Sequence, residues 1–369
     1  MDFDRIFNPA PKKKPESAQG LGFCRTFSDH MFIMEYDEGR GWHDPRIQPY
    51  GPLALDPASP VLHYAQEVFE GLKAYRHADG EVHLFRAVEN ARRMNASCER
   101  LCIPTIDVQL QLDAYNAIVD MERDWVPYES GSSLYLRPTA IADGNMLGVH
   151  AAPRYIYFII CSPTGSYFSG GLKPVSIYIE DSYVRSVKGG TGAAKTGGNY
   201  ACSLKAAEEA KKRGFDQVLW LDGRHNRYIE EVGAMNMMFV IDGALITAPL
   251  EGSILPGITR DSVLRLARER NMKVEERPVD VAEIVEAHRA GVLTEAFGTG
   301  TAAVISPKGR MQYKGEDMML GDDIGPVAKE MYDTLTGIQW GRIKDERGWV
   351  TRVPRISGRQ DPDEELLIS

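Results

Sequence analysis

Short stretches rich in β-branched and aromatic residues occur in the first half of the chain and predict β-strands. These stretches lie at 30–36, 72–76, 82–85, 134–136 and 155–161. Apolar residues at helical spacing predict a helix over 86–102. A second helix is expected after Pro104, with Thr105 or Asp107 as its N-cap, and it should end near residue 125.

The second half of the chain repeats this mixture of strands and helices. The predicted strands lie at 175–180, 217–221, 237–241 and 304–305. The predicted helices lie at 199–213, 258–271, 280–290 and 325–340. A stretch rich in glycine and serine, 162–174, is the best candidate for a linker between the halves. Because strands and helices do not alternate strictly, the order argues against a Rossmann fold or an α/β barrel and predicts two α+β domains.

The composition narrows the class of protein. A chain of 369 residues exceeds the usual size of one hydrophobic core, which agrees with two domains. Its 43% hydrophobic and 26% charged residues are typical of a globular protein and exclude a disordered or collagen-like chain. A net charge of -9 argues against nucleic acid as a partner.

Nothing in the sequence predicts export or membrane insertion. The longest apolar run, 155–161, is far shorter than the roughly 20 residues of a membrane span. The N-terminus begins with acidic residues and lacks the apolar core of a secretory signal. The five cysteines form no CxxC pair, so neither a disulfide framework nor a zinc site is predicted. We therefore expect a cytoplasmic protein with no metal.

Three glycine-rich segments are candidates for binding a phosphate group. The first, 189–198, is nearly a P-loop, but Ala194 stands where that loop needs glycine. The second, 298–303, fits a dinucleotide fingerprint, but a strand that Pro307 is expected to stop follows it instead of a helix. A turn whose amides bind an anion remains open for this segment. The third, 255–260, precedes a predicted helix, whose free N-terminal amides suit phosphate.

These features together suggest a phosphorylated cofactor that is held covalently. Pyridoxal phosphate needs a lysine, an acid facing its pyridine nitrogen and donors for its phosphate. Lys195 is the candidate lysine because glycines flank it, and a solvated surface lysine is the alternative. The candidate acid is Glu231, beside Glu230. In an extended segment these two face opposite ways, so one can be solvated while the other points into a site, and two surface glutamates are the alternative. Arg93 could lie at the rim of a pocket or on a solvated helix face.

Ordered motifs in both halves of the chain resemble the branched-chain amino acid aminotransferases, which are fold type IV pyridoxal-phosphate enzymes. The motifs of the second half are KTGGNY at 195–200, EVGAMN at 231–236, LPGITR at 255–260 and FGTGTA at 297–302. Those of the first half are FSDHM at 27–31, PRIQP at 45–49, HY at 63–64, FEG at 69–71, Asn90 with Arg93 and Met94, and YLRP at 135–138. The resemblance extends from about Gly22 to Arg342.

The resemblance implies a division of the chain into two domains. A smaller N-terminal α/β domain would occupy 21–168, and a larger C-terminal pseudo-barrel domain that binds the cofactor would occupy 182–357. An interdomain loop at 169–181 would join them. A flexible lead is expected at 1–20 and an acidic tail at 358–369.

The resemblance also implies roles for residues that match the family. Lys195 would form the Schiff base with pyridoxal 5'-phosphate and shuttle a proton between the substrate Cα and C4′ of the cofactor. Glu231 would pair with the pyridine nitrogen, and Tyr200 would hydrogen-bond the ring oxygen. The implied phosphate ligands are Arg93, the amides of Ile258 and Thr259, and Thr301.

The implied substrate site has a polar and an apolar part. The amides of Thr301 and Ala302, with the Tyr135 hydroxyl, would bind the substrate carboxylate, and Arg137 would help accept the acidic side chain of glutamate. The implied side-chain pocket is lined by Phe23, Tyr64, Phe69, Tyr167 and Ala234.

The activity that follows is a ping-pong transfer of the amino group of L-Leu, L-Ile or L-Val to 2-oxoglutarate. A homodimer is implied, with Tyr64 and Arg137 reaching across its interface. Vertebrate members carry a redox CxxC where this chain has Ala303 and Ser306, so thiol regulation is not expected and a bacterial type is. A D-amino acid aminotransferase or an aminodeoxychorismate lyase is the alternative of the same fold type. A nucleotide-binding regulatory protein that uses 189–198 is the alternative from another class.

Overall fold

The computed structural model describes residues 3–18, 20–165 and 172–355, in which two β-sheets carry the helices. The first sheet contains β1 (Asp4–Arg5), β2 (His30–Asp37), β3 (Gly41–Pro49), β4 (Glu67–Phe69), β5 (Leu72–Arg76), β6 (Val82–Phe85), β7 (Ser133–Asp143), β8 (Arg154–Thr164) and β18 (Val350–Arg352). The second contains β9 (Val175–Glu180), β10 (Gln217–Leu221), β11 (Ile229–Val232), β12 (Met235–Ile241), β13 (Ala244–Thr247), β14 (Val274–Glu276), β15 (Leu293–Gly300), β16 (Val304–Tyr313) and β17 (Glu316–Met319). The helices are α1 (Pro60–Tyr64), α2 (Ala87–Arg100), α3 (Val108–Met121), α4 (Gly198–Ala201), α5 (Leu204–Lys212), α6 (Ile258–Glu269), α7 (Val281–Arg289) and α8 (Pro326–Gln339).

The first sheet has the order β1-β3-β2-β8-β7-β5-β6-β18, and β4 pairs with β7. Its core lies under α2 and α3, where apolar residues of both helices meet those of the strands. The side chain of Asp107 accepts a hydrogen bond from the amide of Leu110, which confirms Asp107 as the N-cap of α3.

The second sheet closes into a barrel. Its order is β11-β10-β9-β16-β15-β12-β13-β14, and the additional pairing of β11 with β12 joins the ends of a six-strand path. β13 and β14 continue from β12, and β17 extends β16. This closure confirms the predicted α+β fold with a pseudo-barrel in the second half.

Alternation along β12 builds two cores on the two faces of this sheet. Met237 and Phe239 pack into the cluster that includes residues of α7. Met238 and Val240 point the other way, into the cluster with α6 and α8. Because successive side chains of a strand point to opposite faces, a continuous apolar run here indicates a strand covered on both sides.

The N-terminal lead makes contacts with the first sheet. Phe3 is buried against the first sheet, and β1 pairs in parallel with β3. The amide of Lys12 donates to the Asp29 carboxylate over 2.7 Å. Long-range pairing and one apolar anchor thus attach parts of this segment to the first sheet, and the flexible lead at 1–20 stays a prediction. The acidic tail at 358–369 lies outside the described residues.

Three predicted elements differ in extent from those observed. The strand predicted at 134–136 is part of the 11-residue β7. The helix predicted at 199–213 is divided into α4 and α5. Pro307 does not stop β16, because it lies where pairing with β15 ends and pairing with β9 begins at Lys308. A proline is tolerated in a strand where no ladder bond requires its missing N–H group.

Two strands cross the predicted domain limits. β9 lies inside the predicted loop at 169–181, yet it is a strand of the second sheet with Ile177 and Ile179 buried. β18 lies inside the predicted C-terminal domain but pairs with β6 of the first sheet. Within the described ranges, no helix has the length and apolar character needed to cross a membrane.

Candidate functional site

A cavity of about 370 Å³ brings together residues from both sheets. Most residues that the sequence predicted for cofactor or substrate line it. They are Phe23, Phe69, Arg93, Tyr135, Arg137, Lys195, Tyr200, Glu231, Ala234, Ile258, Thr259, Thr301 and Ala302. Residues far apart in the chain thus meet at one place, which the order of the motifs alone could not establish.

Three predicted residues need separate comment. Tyr64, at the end of α1, does not line this cavity, and its hydroxyl donates to the carbonyl of Leu147. Tyr64 lines a neighbouring depression together with Val149 and Thr196. Arg137 lines the cavity of its own chain, and its reach across a dimer interface stays a prediction. Tyr167 lies outside the described residues.

Lys195 is fixed through its backbone and leaves its amine in the cavity. Its amide donates to the Ser97 hydroxyl of α2 over 2.9 Å, and its carbonyl accepts from the amide of Phe69 over 2.9 Å. Nζ donates to the Tyr200 hydroxyl over 2.8 Å and lies 4.9 Å from the centre of the Phe69 ring. The side chain is therefore part of the cavity, and the alternative of a solvated surface lysine is wrong.

Glu231 lies on β11 and is 2% exposed. Its Oε2 lies 2.5 Å from Nη1 of the buried Arg185, outside hydrogen-bond geometry, and its Oε1 accepts from the Asn236 amide over 3.4 Å. Glu230 is buried too and accepts a hydrogen bond from the Ser253 hydroxyl. Alternation does separate the two glutamates, but the expectation that one of them could be solvated is wrong because both faces of β11 are covered.

The environment of Glu231 makes its charged form less favourable than in water, even with Arg185 beside it. Burial raises the pKa of Glu231 to about 7, and the nearby Glu230 acts in the same direction. The charges of Arg185 and Lys195 act against this rise in pKa. Oε2 is ion-paired with Arg185 but makes no hydrogen bond, so it retains the capacity to accept one from a donor in the cavity. Sequence reasoning missed Arg185, because it lies in a polar segment with no periodic pattern.

Arg93 is held by the carboxylate of Glu70, a residue of the FEG motif for which the sequence indicated no role. Nε and Nη2 of Arg93 donate to the two oxygens of Glu70 over 2.7 and 2.9 Å. Glu70 is fully buried and also accepts from the Asn90 side chain over 2.8 Å. Burial acts to raise the pKa of Glu70, but the Arg93 charge and these hydrogen bonds lower it overall. The remaining nitrogen, Nη1, donates to the carbonyl of Pro256 over 3.1 Å, which brings Arg93 to the start of α6.

The N-terminus of α6 faces the same cavity. Its N-cap is Gly257, which has no side chain to cap the helix, and in the described ranges no protein group accepts from the amides of Ile258 and Thr259. A Cβ at Gly257 would lie 1.9 Å from Oδ1 of Asn236, so only glycine allows this approach. Free amides and the helix dipole together favour an anion at this position.

The turn between β15 and β16 is held in place by a hydrogen bond from Lys73. Nζ of Lys73 donates to the carbonyl of Ala302 over 2.8 Å. Burial lowers the pKa of Lys73 to about 8, with Cys24 acting to raise it. Because the carbonyl points to Lys73, the amide side of the turn can face the cavity. Sequence reasoning gave Lys73 no role, although it follows the FEG motif by two residues.

Aromatic rings form one wall around the lysine. Tyr135 and Arg137 share a face of β7, and Nη2 of Arg137 donates to the Tyr135 hydroxyl over 3.1 Å. The Arg137 guanidinium lies 4.7 Å from the centre of the Phe69 ring. Phe23 packs edge-on against Tyr135 at 4.9 Å, and Phe69 lies 5.0 Å from Tyr200. The wall is apolar except for one guanidinium and two hydroxyl groups.

The donors and acceptors of the cavity fit pyridoxal phosphate. Lys195 offers an amine to an aldehyde, and the buried Oε2 of Glu231 offers an acceptor to a ring nitrogen. The open amides of α6 offer a place to the phosphate. A phosphorylated cofactor can thus satisfy groups that the protein leaves unsatisfied.

Comparisons with known proteins agree with this geometry. The family model for amino-transferase class IV matches residues 67–307. Branched-chain-amino-acid aminotransferase 2 of Bacillus subtilis is 52% identical over 347 residues, which are 94% of this chain and 95% of that protein. Branched-chain-amino-acid aminotransferase of Mycobacterium tuberculosis is 48% identical over 356 residues, covering 95% of this chain and 97% of that protein.

Solved structures with the same name are similar in fold. The branched-chain amino acid aminotransferase of Escherichia coli aligns with a TM-score of 0.72 and 27% identity, covering 88% of this chain and 99% of that chain. The holo-form of the enzyme from Thermobaculum terrenum, described as its PLP form, has a TM-score of 0.72 and 28% identity, covering 88% and 98%. The resemblance read from the motifs is confirmed: the chain belongs to the class IV aminotransferases, among the branched-chain amino acid aminotransferases.

Proposed function

We propose that the chain transfers the amino group of L-Leu, L-Ile or L-Val to 2-oxoglutarate with pyridoxal phosphate, giving the branched 2-oxo acid and L-glutamate. One observation carries this proposal: the Lys195 amine, the Glu231 carboxylate and the open α6 amides meet in one cavity beside an apolar wall. Two relatives that are 52% and 51% identical to this chain are named for this activity. Their names favour it over the activity of a D-amino acid aminotransferase, a lyase or a nucleotide-binding protein.

The residues around the cofactor divide the work. Bound pyridoxal phosphate supplies an electron sink for the charge that develops when the substrate Cα loses its proton. Arg93, Thr301 and the amides of Ile258 and Thr259 hold the phosphate. Glu231 keeps a proton on the ring nitrogen, and Tyr200 hydrogen-bonds the ring oxygen. Lys195 anchors the cofactor and then acts as the base that takes the Cα proton, within reach of the Tyr200 hydroxyl.

The remaining cavity wall selects the substrate. The amides of the turn at Thr301 and Ala302, with the Tyr135 hydroxyl, bind the carboxylate. Phe23, Phe69 and Ala234 contact the side chain. Because one methylene in an apolar pocket is worth only about 1–3 kcal/mol, all three branched amino acids are accepted. Arg137 gives the acidic side chain of glutamate a charged partner in the same pocket.

The direct test is an assay with each amino donor and 2-oxoglutarate, in which the glutamate formed is measured. L-Leu, L-Ile and L-Val should support turnover, and D-leucine should not. Turnover restricted to D-amino acids would move the assignment to a D-amino acid aminotransferase. No turnover, together with ATP or GTP binding, would favour the nucleotide-binding alternative.

Replacing Arg93 by alanine should weaken the retention of pyridoxal phosphate. Loss of a charged hydrogen bond to the phosphate should raise the cofactor dissociation constant about tenfold or more. The same change leaves Glu70 buried and unpaired, which should lower the free energy of unfolding by about 3–5 kcal/mol. The dissociation constant is measured by titrating cofactor-free protein, and the free energy of unfolding by urea denaturation.

A second variant separates these two effects. Combining Arg93→Ala with Glu70→Gln removes the unpaired charge and should recover part of the lost stability. The affinity for the cofactor should stay low in this variant. A dissociation constant equal to that of the unsubstituted chain, in either variant, would refute the role of Arg93 at the phosphate.

A homodimer is part of the proposal. Leu147 and Val149 are 61% and 83% exposed, and Tyr64 is also exposed. Tyr64 and Val149 line the depression that reaches Thr196, the residue after the catalytic lysine. Exposed apolar side chains grouped beside a site are typical of an interface with a partner, here a second copy of the chain.

Replacing Val149 by aspartate should therefore produce a monomer and lower turnover. A charge buried at an interface core without a partner costs several kcal/mol, enough to shift a dimer at micromolar concentration. Sedimentation velocity measures the change, and Met319→Asp on the edge strand β17 is the matched control because Met319 is 57% exposed. A Val149→Asp variant that sediments as the unsubstituted chain does would contradict this interface.

We place the enzyme in the cytoplasm. All five cysteines are free thiols, namely Cys24, Cys98, Cys102, Cys161 and Cys202. Unpaired cysteines are typical of a reducing compartment.

A further inference from the structure

A buried lysine behind the cavity has no role in the mechanism above. Lys308 lies on β16 and is 3% exposed. Its Nζ donates to Oε1 of Gln217 over 2.9 Å and to the Ser306 hydroxyl over 3.0 Å. In the described part of the chain, no carboxylate oxygen lies within ion-pair distance of this amine. Burial lowers the pKa of Lys308 to about 7, while Asp216 acts to raise it. Even the neutral amine keeps two N–H donors, one for each of its two acceptors.

Gln217 connects this lysine to the cavity. It is the first residue of β10 and lines the same cavity as Lys195. Its side-chain carbon Cδ would lie 3.7 Å from a Cβ at Gly233, so it is close to the wall that Ala234 forms. The assignment of oxygen and nitrogen in a glutamine amide depends on its partners. When Lys308 is protonated it can only donate, so this form of the lysine requires Oε1 on its side and turns Nε2 away from it.

The amide nitrogen of Gln217 is then a donor with no assigned acceptor. Within the described ranges, no protein group accepts a hydrogen bond from Nε2. Substrates of the proposed reaction bring carboxylates into this cavity, and these are strong acceptors. A lysine is also a costly residue to bury without a countercharge, whereas an apolar side chain would fill the same space. This cost indicates that the contact with Gln217 serves the site.

We propose that Gln217 donates from Nε2 to a carboxylate of the bound substrate and that Lys308 is the positioning residue that fixes the orientation of its amide. This inference rests on the proposed function, because that reaction supplies the carboxylate. The carboxylate has two sources: the α-carboxylate common to all substrates, or the side-chain carboxylate of glutamate and 2-oxoglutarate.

The test uses holoenzyme carrying Lys308→Met, Gln217→Leu or both. The reactions of L-leucine and of L-glutamate with the cofactor-loaded enzyme are followed separately by absorbance, without any 2-oxo acid. Each single variant should raise the apparent dissociation constant of the affected substrate about fivefold, with little change in the maximal rate. Both substitutions affect the same hydrogen bond between Gln217 and the substrate. The apparent dissociation constant of the double variant should therefore be no higher than that of Gln217→Leu alone.

The two substrates identify the carboxylate. Weaker binding of both L-leucine and L-glutamate assigns the α-carboxylate, and weaker binding of L-glutamate alone assigns its side-chain carboxylate. Ser306→Ala is the matched control, since it removes the other acceptor of Lys308 but leaves Gln217 in place, and its dissociation constants should stay unchanged. The thermal midpoint of Lys308→Met should not fall, because the substitution removes a buried amine.

The outcome that overturns the inference is distinct from failure of the proposed function. If the unsubstituted enzyme does not react with L-leucine, the proposed function fails. If it does react and both single variants bind both substrates within twofold of the unsubstituted enzyme, Gln217 and Lys308 have no part in binding. A fall in thermal midpoint of Lys308→Met with unchanged dissociation constants would show a purely structural lysine.

Discussion

Lys195→Ala should lose transamination by roughly 10³-fold or more, in the range expected for the loss of a positioned base. The fold should survive, because the hydrogen bonds of Lys195 with Ser97 and Phe69 use only its backbone. The amine itself contacts the Tyr200 hydroxyl and the ring of Phe69, and no other lysine lines the cavity among the described residues. Turnover with L-leucine and 2-oxoglutarate measures the loss, and circular dichroism measures the fold.

Lys188→Ala is the control for this substitution. Lys188 lies in the same glycine-rich region, but its side chain is 78% exposed and pairs with Glu251 at the surface. Its replacement should leave turnover unchanged. Steady turnover that persists in Lys195→Ala would refute the assignment of the catalytic lysine.

Glu231→Gln should lower the maximal rate by about 10²-fold or more, because a neutral amide cannot hold a proton on the ring nitrogen as a carboxylate does. The substitution keeps the size of the side chain, so its effect reports charge. It also leaves the buried Arg185 without its ion-pair partner. Rates of the reaction with L-leucine under single-turnover conditions measure this loss. A maximal rate within a few-fold of that of the unsubstituted enzyme would contradict the role of Glu231.

The pH dependence of stability tests the same residue without the cofactor. The pKa of Glu231 is about 7 in the folded chain, above its usual value of 4.5. A raised pKa means that this group's contribution to stability is full below about pH 4.5 and is lost as the pH rises through about 7. The loss amounts to roughly 3 kcal/mol at most.

Urea unfolding of the cofactor-free protein at several pH values measures this contribution. Between pH 5 and 8, the stability of Glu231→Gln should fall less than that of the unsubstituted chain, because glutamine does not titrate. The comparison uses the slope with pH, since the loss of the Arg185 partner shifts the stability of the variant at every pH. Parallel slopes for the two proteins would show that Glu231 is not the titrating group.

Local pattern was enough to predict much of the fold. The helix at 86–102 and the strands at 72–76 and 82–85 have apolar positions at the spacing of their own type, and the structure has α2, β5 and β6 there. Pairing at long range was beyond such reasoning. β1 is two residues long and pairs with β3, some forty residues later. A strand of two residues is too short to show alternation of polar and apolar positions.

The sequence predicted those parts of the site in which a residue and its immediate neighbours indicate a function. Lys195 is flanked by small residues, and the start of α6 follows Pro-Gly. The residues that hold the site were missed because they are single polar residues in otherwise ordinary segments. Glu70, Lys73 and Arg185 are recognised only once the structure shows them buried and paired. Burial of a charge depends on the whole fold and leaves no mark in the neighbouring sequence.

The most direct measurement is the absorbance spectrum of the purified protein before and after addition of L-leucine, with no 2-oxo acid present. Our account predicts a yellow band from pyridoxal phosphate held by Lys195, and this band should bleach when L-leucine passes its amino group to the cofactor. A yellow band that ignores L-leucine would contradict the assigned substrate. A protein that stays colourless after addition of pyridoxal phosphate would contradict the assigned cofactor.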